Sequence, residues 1–147
     1  MPKLLFDLLA ILPQTAMLFA QATFMPVRHV KLLVIVVTSF SVMCAAAKSL
    51  FLGIAPGYIL GTIANLVPVL FYRQDVRWSQ RWVAVALGIV LMMVGEVAAS
   101  AVWILSGATL GDYADVATRP FTGVLVHVID AIVIIIGAYL LRPMMRR

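Results

Sequence analysis

Five long apolar stretches alternate with short polar segments along the chain. They cover residues 4–22, 32–52, 54–72, 82–105 and 121–141. Each is roughly 20 residues long, which is the length of α-helix that crosses ~30 Å of hydrocarbon at ~1.5 Å per residue. The pattern therefore predicts an all-α integral membrane protein. We expect a single domain, residues 1–147, built as a bundle of about five transmembrane helices.

The composition supports lipid as the solvent of these stretches. The chain has 147 residues, of which 64% are hydrophobic and 12% are charged. A soluble globular chain is roughly 45–50% apolar and roughly 25% charged. A domain of this size in water has too small an interior to bury so much apolar surface.

The basic residues fall mainly in alternate segments between the predicted spans. Eight of the 11 Lys and Arg residues share one side, namely Arg28, Lys31, Arg73, Arg77, Arg81, Arg142, Arg146 and Arg147. Lys3, Lys48 and Arg119 fall on the other side. Short segments rich in Lys and Arg stay in the cytoplasm. The pattern predicts a multi-pass protein of the bacterial cytoplasmic (inner) membrane, with its N-terminus outside and its C-terminus cytoplasmic.

The first apolar stretch also has features of a cleaved signal peptide. Lys3 precedes it, and Ala20-Gln21-Ala22 resembles a cleavage site. Two features favour a retained helix instead: Asp7 interrupts the apolar run, and cleavage would disturb the alternation of charge. We expect the helix to be retained.

Three ionisable side chains fall inside the fourth and fifth stretches. Glu96 lies nine residues before Leu105, and Asp130 lies nine residues after Phe121, so both sit ~13 Å below the same boundary. His127 is one turn from Asp130 on the same helix face. Charged groups in hydrocarbon are costly and indicate function by default. Glu96, His127 and Asp130 are therefore candidates to bind a polar group of a ligand or to relay protons. The alternative is that each is a polar group that packs helices.

Glycines recur at every fourth position of the third stretch, at Gly53, Gly57 and Gly61. Such a stripe lets another helix approach closely. It predicts helix packing, either within the fold or at the seam of a homodimer. Pro68 is expected to kink the inner end of this span.

The outer segment, residues 106–120, is the one long polar connection. It contains helix-breaking residues together with Asp112, Tyr113 and Asp115, which are candidates for an outer binding surface. A solvated connector is the alternative. On the inner side, Trp78, Trp82 and Tyr72 are expected to be aromatic anchors at the interface between membrane and water.

Several classes of chemistry have no sequence signature here. No Walker A motif, glycine-rich nucleotide loop, zinc-ligand spacing or nucleophile elbow is present, so we expect neither an enzyme nor a cofactor or metal site. Cys44 is the one cysteine, which rules out an internal disulfide. No basic run is interleaved with aromatics, so nucleic-acid binding is not expected.

The layout resembles the membrane sensor region of AgrC-like histidine kinases, the peptide-pheromone receptors of bacteria. The resemblance rests on the basic inner segment FYRQDVRWSQR at residues 71–81 and on Val-Gly-Glu-Val at residues 94–97. It implies a module that receives a signal outside the cell. Those receptors continue into a dimerisation helix and an ATP-binding kinase domain, and these 147 residues include neither. The resemblance therefore implies a sensor that cannot phosphorylate alone.

We accordingly expect a sensor-like module that receives an extracellular small or peptidic signal. It would pass the signal inward through the last two spans to a cytoplasmic or membrane partner, with a homodimer as another expected assembly. Two alternatives stay open. One is a small transporter or channel subunit that uses the acidic and His residues. The other is an accessory membrane protein without a ligand.

Overall fold

The computed structural model describes Leu9 and residues 11–50, 62–107 and 120–145. Within these residues, the α-helices of 14 residues or more are α1 (Ile11–Phe24), α2 (Val30–Leu50), α3 (Trp78–Leu105) and α4 (Pro120–Met145); α3 and α4 are the two long helices. Residues 62–66 are also helical and lead into a 3-10 turn at Val67–Leu70. Within these ranges no strand forms, and the described part of the protein is all-helical.

The core lies where α1, α3 and α4 pack against one another. α1 contributes Met17, Ala20 and Phe24, each with no exposed surface. Other members come from the long helices and the inner segment, namely Val69, Tyr72, Val76, Ala84, Val85, Leu91, Ile134 and Ala138. α1 thus supplies central core residues, and retention of the first helix stays a prediction.

Two segments meet at the end of the bundle that carries most of the basic residues. The segment after α1 pairs with the segment before α3 through a backbone bridge between Val27 and Tyr72. The backbone N–H of Arg28 donates to the carbonyl of Phe71 at 2.6 Å, and that of Arg73 donates to the carbonyl of Pro26 at 3.0 Å. The last turn of α4 packs against the core at this end as well, through Leu141 and Met145. We call this region the basic end.

The chain direction follows from these contacts. α1 ends at the basic end and α3 begins there, so the two helices are antiparallel. At the far end, Trp103 of α3 packs with Val126 of α4, which makes α3 and α4 antiparallel too. The basic segments around residues 25–31 and 71–81 and the end of α4 thus share one end of the bundle, as the sequence predicted.

α2 lies at the edge of the bundle and packs mainly on α1. Its contact consists of Leu33 and Val37 against Leu18. The same cluster is contacted by Val27, Val67 and Phe71. Most of its other described side chains are exposed, and they include the apolar residues Val30, Leu32, Val34, Ile35, Val42 and Met43. Exposed apolar side chains also cover the faces of α3 and α4 that point away from the core, where Val97 and Leu140 are each 71% exposed. A soluble monomer rarely shows such continuous apolar surface.

α3 and α4 are long and apolar enough to cross a membrane. Their mean hydropathies over the best window are 2.2 for Trp78–Leu105 and 2.5 for Phe121–Met145. Within α2, the part Val30–Cys44 is also apolar but shorter. These two long apolar helices are compatible with a membrane location.

The structure moves several of the predicted boundaries. α3 begins at Trp78, four residues before the predicted start of its span, because the Gln80 side chain accepts a hydrogen bond from the backbone N–H of Arg77 at 3.2 Å and so closes the first turn. α4 runs to Met145, past the predicted end at residue 141. The third span does not run as α-helix to residue 72: it becomes a 3-10 turn at Val67, where Pro68 lacks the N–H that α-helix continuation uses.

Candidate functional site between the two long helices

Asp130 of α4 is buried directly against Gly95 of α3. Asp130 is only 5% exposed. A Cβ atom added at Gly95 would lie 3.0 Å from the Asp130 backbone oxygen and would overlap its Oδ1. Glycine at position 95 is therefore what allows α4 to bring a carboxyl group to the surface of α3.

The carboxyl group at this contact is incompletely bonded. Oδ1 of Asp130 is buried and has no hydrogen-bond partner among the described residues. A buried polar atom without a partner costs roughly 1–3 kcal/mol, more for a charged group. A proton, a ligand group or a helix movement that gave Oδ1 a partner would therefore change the free energy of packing between α3 and α4.

Glu96 lies beside this contact but does not point into it. Its carboxyl group is near enough to Asp130 to act on it electrostatically. Its side chain, however, is on the exposed surface of α3. Consecutive helical residues project about 100° apart, so Gly95 faces α4 and Glu96 faces outward. The structure thus brings the two acids together, with Glu96 at the rim and Asp130 inside.

His127 lies one turn before Asp130 on α4 and is partly buried. We call the Gly95–Asp130 contact, with Glu96 and His127 near it, the acidic site; that the three ionisable residues act together stays a prediction. Asp130 is the eleventh of 26 residues in α4 and Glu96 is the nineteenth of 28 in α3, so the site lies just past the middle of the two helices, on the half away from the basic end. Among residues 11–50, 62–107 and 120–145, no group of three His, Cys, Asp or Glu could hold a metal ion.

A second buried polar site was not foreseen from the sequence. Gln21 of α1 has no exposed surface and packs on Gly88 of α3, where an added Cβ would lie 2.6 Å from its Cγ. Its amide nitrogen donates to the backbone oxygens of Val85 at 3.4 Å and Asn65 at 3.5 Å. Gln14, one heptad earlier on α1, donates to the side-chain oxygen of Asn65. This Gln21 site joins α1, α3 and the helical residues before the 3-10 turn.

Tyr72 completes the Gln21 site. Its hydroxyl group donates to the backbone oxygen of Gln21 at 3.1 Å, and its side chain has no exposed surface. The expectation that Tyr72 anchors at the membrane interface is therefore wrong, because this residue turns inward to satisfy a carbonyl near the end of α1. Trp78 and Trp82, in contrast, are 57% and 47% exposed. The signal that could have located the site is the seven-residue spacing of Gln14 and Gln21, which places both on one face of α1.

Small residues on α3 connect the two polar sites. The buried face of this helix carries Gly88 and Gly95 with Ala84 and Ala99, at successive spacings of four, seven and four residues. Gly137 of α4 plays the reciprocal role, since a Cβ there would overlap Leu91 of α3. Close helix packing in the described structure thus rests on α3 and α4.

Two of the predicted sets lie outside the described residues. These are the glycine stripe, Gly53, Gly57 and Gly61, and the outer-segment candidates, Asp112, Tyr113 and Asp115. Their roles stay predictions.

Comparison with known proteins adds no assignment. No family model, curated protein or solved structure matches the chain. The acidic site, the Gln21 site and the basic end are therefore interpreted from their chemistry alone.

Proposed function

We propose that the protein is a sensor-like module of the bacterial cytoplasmic membrane. It has five spans, an outer N-terminus and a cytoplasmic C-terminus, and it receives a small or peptidic signal from outside. The observation that carries the proposal is the burial of Asp130 against Gly95 with Glu96 beside it. An acidic group at a helix contact costs roughly 2.5–3.5 kcal/mol at the centre of a span. Stability alone does not account for its presence.

The acidic site lies on the outer half of the two long helices in this orientation. A signal with an amine or guanidinium group would pair with Asp130 and Glu96 and relieve their mutual repulsion. It would act only to the extent that it binds one arrangement of α3 and α4 better than the other. This requirement limits the signal to a ligand that contacts both helices.

α4 supplies a direct route to the cytoplasmic side. It continues as one helix from Asp130 to Met145, about 22 Å at 1.5 Å per residue. Its last turn packs beside the two segments of the basic end. A shift of α4 at the acidic site therefore moves the surface that a cytoplasmic partner would contact.

The test is hydrogen–deuterium exchange of the protein in lipid nanodiscs. The probe is the peptide-size fraction of medium conditioned by the source culture, and the same fraction after protease digestion is the control. We expect the probe to change exchange in α3 and α4 and in residues 71–77. The Asp130→Asn variant keeps the shape of the side chain and should not respond. A wild-type protein that gives identical exchange with both fractions would contradict a peptide sensor.

A transporter or channel subunit is the second candidate. The acidic site and the Gln21 site could both line a pathway, because they lie on one face of α3. Gly88 and Gly95 are two turns apart on this face, about 10 Å along the helix. Proton flux into liposomes separates the two functions. Flux that Glu96→Gln abolishes would favour transport and overturn the sensor proposal.

A further inference from the structure

The basic end contains a cavity that neither polar site explains. Its volume is about 360 Å³, and it is lined by Val27, Arg28, Arg73, Gln74 and Asp75. Binding sites for small molecules are typically ~300–1,000 Å³. The cavity lies between the segment that follows α1 and the segment that precedes α3, and it is open to the surface.

The walls of the cavity are held in place by the fold. The Val27–Tyr72 bridge and its flanking backbone hydrogen bonds join the two segments. Arg81, which is 7% exposed, stabilises the segment that precedes α3. Its Nε donates to the backbone oxygen of Val76, and a terminal nitrogen donates to that of Arg73, both at 2.9 Å. A site with fixed walls loses little conformational entropy when a ligand binds.

The charges in the cavity leave one positive group available. Arg73 Nε pairs with an Asp75 carboxylate oxygen at 3.3 Å. Arg28, in contrast, has a buried Nε with no hydrogen-bond partner in the part of the chain that the structure describes. Two arginines and one aspartate give the lining a net charge of +1. Because its Nε is buried, Arg28 can offer a ligand in the cavity its two terminal nitrogens, and a phosphate monoanion accepts two parallel hydrogen bonds from such a pair.

The surroundings indicate where that phosphate comes from. Trp78 and Trp82 in the first two turns of α3 are exposed, and so is Leu70 just before the cavity segment. Exposed Trp beside basic residues is typical of the level of the lipid headgroups. Exposed apolar side chains within a few residues of a cationic cavity fit an acyl chain attached to a phosphate better than they fit free phosphate.

We propose that this cavity binds the headgroup phosphate of an anionic phospholipid, with Arg28 as the principal donor and the Arg73–Asp75 pair as the opposite wall. The proposal rests on the membrane location in the proposed function but not on any signal. It assigns a lipid site to the same end of the bundle that the charge pattern places in the cytoplasm. Anionic lipid there would hold α3 and the α1–α2 connection at a fixed depth.

Native mass spectrometry of the full chain in neutral detergent tests the site. Phosphatidylglycerol and phosphatidylcholine of the same acyl length are added separately, and inorganic phosphate is added in a third series. We expect phosphatidylglycerol to bind at least about tenfold more tightly than phosphatidylcholine: both carry the same phosphate, but the choline cation of phosphatidylcholine cancels its charge and is repelled by Arg28 and Arg73. Equal binding of the two lipids would overturn the proposal. Displacement of phosphatidylglycerol by millimolar inorganic phosphate would also overturn it.

Matched variants locate the binding. Arg28→Gln should lower the affinity for phosphatidylglycerol about tenfold. Lys31→Gln removes the same charge at the same end but does not line the cavity, so it should leave the affinity within about twofold. Equal losses in the two variants would mean that only net charge attracts the lipid and would contradict the site. Arg28→Lys covers the case in which Arg28→Gln does not fold: it keeps the charge but loses the fork, and it should still bind more weakly than wild type.

The outcome is separable from that of the proposed function. A chain that stays in solution without detergent would refute the membrane location and hence both proposals. A membrane protein that binds phosphatidylglycerol through Arg28 but ignores conditioned medium would retain the lipid site and lose the sensor.

Discussion

At the scale of single residues, the absence of a side chain at Gly95 and Gly88 matters as much as any polar group. Each glycine receives a polar side chain from a neighbouring helix, Asp130 in one case and Gln21 in the other. The two contacts differ in one respect. At Gly95 a backbone oxygen of α4 is among the three nearest atoms, whereas at Gly88 the three nearest atoms all belong to the Gln21 side chain. The separation of α3 and α4 is therefore set at Gly95.

The substitution Gly95→Ala tests this packing. The new methyl group would overlap Asp130, so we expect the free energy of unfolding in bicelles to fall by about 1–3 kcal/mol. Val97→Ala, at an exposed position of the same helix, should change it by less than about 0.5 kcal/mol. Combining Gly95→Ala with Asp130→Ala removes the overlapping carboxyl group, so the double variant should lose less than the sum of the two single losses. Strict additivity would contradict the contact.

The buried hydroxyl of Tyr72 supports a second prediction at this scale. Tyr72→Phe removes the donor to the Gln21 carbonyl and should lower the free energy of unfolding by about 0.5–1.5 kcal/mol. Tyr139→Phe is the matched control, because Tyr139 is 69% exposed on α4. Thermal unfolding of both variants in the same detergent measures the difference. Equal melting temperatures would place Tyr72 at the interface, where the sequence had predicted it.

At the scale of elements, hydropathy predicted which segments become helices better than where they start and stop. α2, α3 and α4 cover the second, fourth and fifth apolar stretches. The ends moved because they depend on single polar contacts that hydropathy does not register, such as the Gln80 side chain at the start of α3. The same limit applies to the candidate site. The equal depth of Glu96 and Asp130 could be read from residue counts, but the inward turn of Asp130 depends on how α4 packs against Gly95.

Arg81 shows how one side chain stabilises a connection between elements. It donates to two carbonyls of the segment before α3 and lies over the Trp78 ring at 4.8 Å from the ring centroid. In the sequence, Arg81 is one of the charges that predict the orientation. In the structure it also bonds the segment before α3. Its guanidinium group replaces backbone hydrogen bonds that a non-helical segment lacks.

We therefore expect Arg81→Met to lower the free energy of unfolding by about 2–3 kcal/mol, since two carbonyls lose a charged donor. Lys31→Met removes the same charge from an exposed position in the first turn of α2, and it should have an effect under about 0.5 kcal/mol. Hydrogen exchange should also become faster in residues 73–77 of the Arg81 variant alone. Similar exchange in the two variants would show that the segment does not depend on Arg81.

At the scale of the whole molecule, the features lie in a fixed order along the bundle. The acidic site lies just past the middle on the half away from the basic end, the Gln21 site lies nearer the basic end, and the cavity lies at the basic end itself. α4 runs the full distance from the first to the last. The proposed direction of signalling follows from this order only if the acidic site faces outward and the basic end faces the cytoplasm.

Labelling of single cysteines in intact cells measures that orientation directly. In a Cys44→Ser background, Ser106→Cys marks the end of α3 near the acidic site, and Gln74→Cys marks the basic end. A membrane-impermeant maleimide should label the Ser106→Cys variant in intact cells and the Gln74→Cys variant only after the membrane is permeabilised. Labelling of Gln74→Cys in intact cells, with Ser106→Cys protected, would reverse the topology and contradict a signal received at the acidic site.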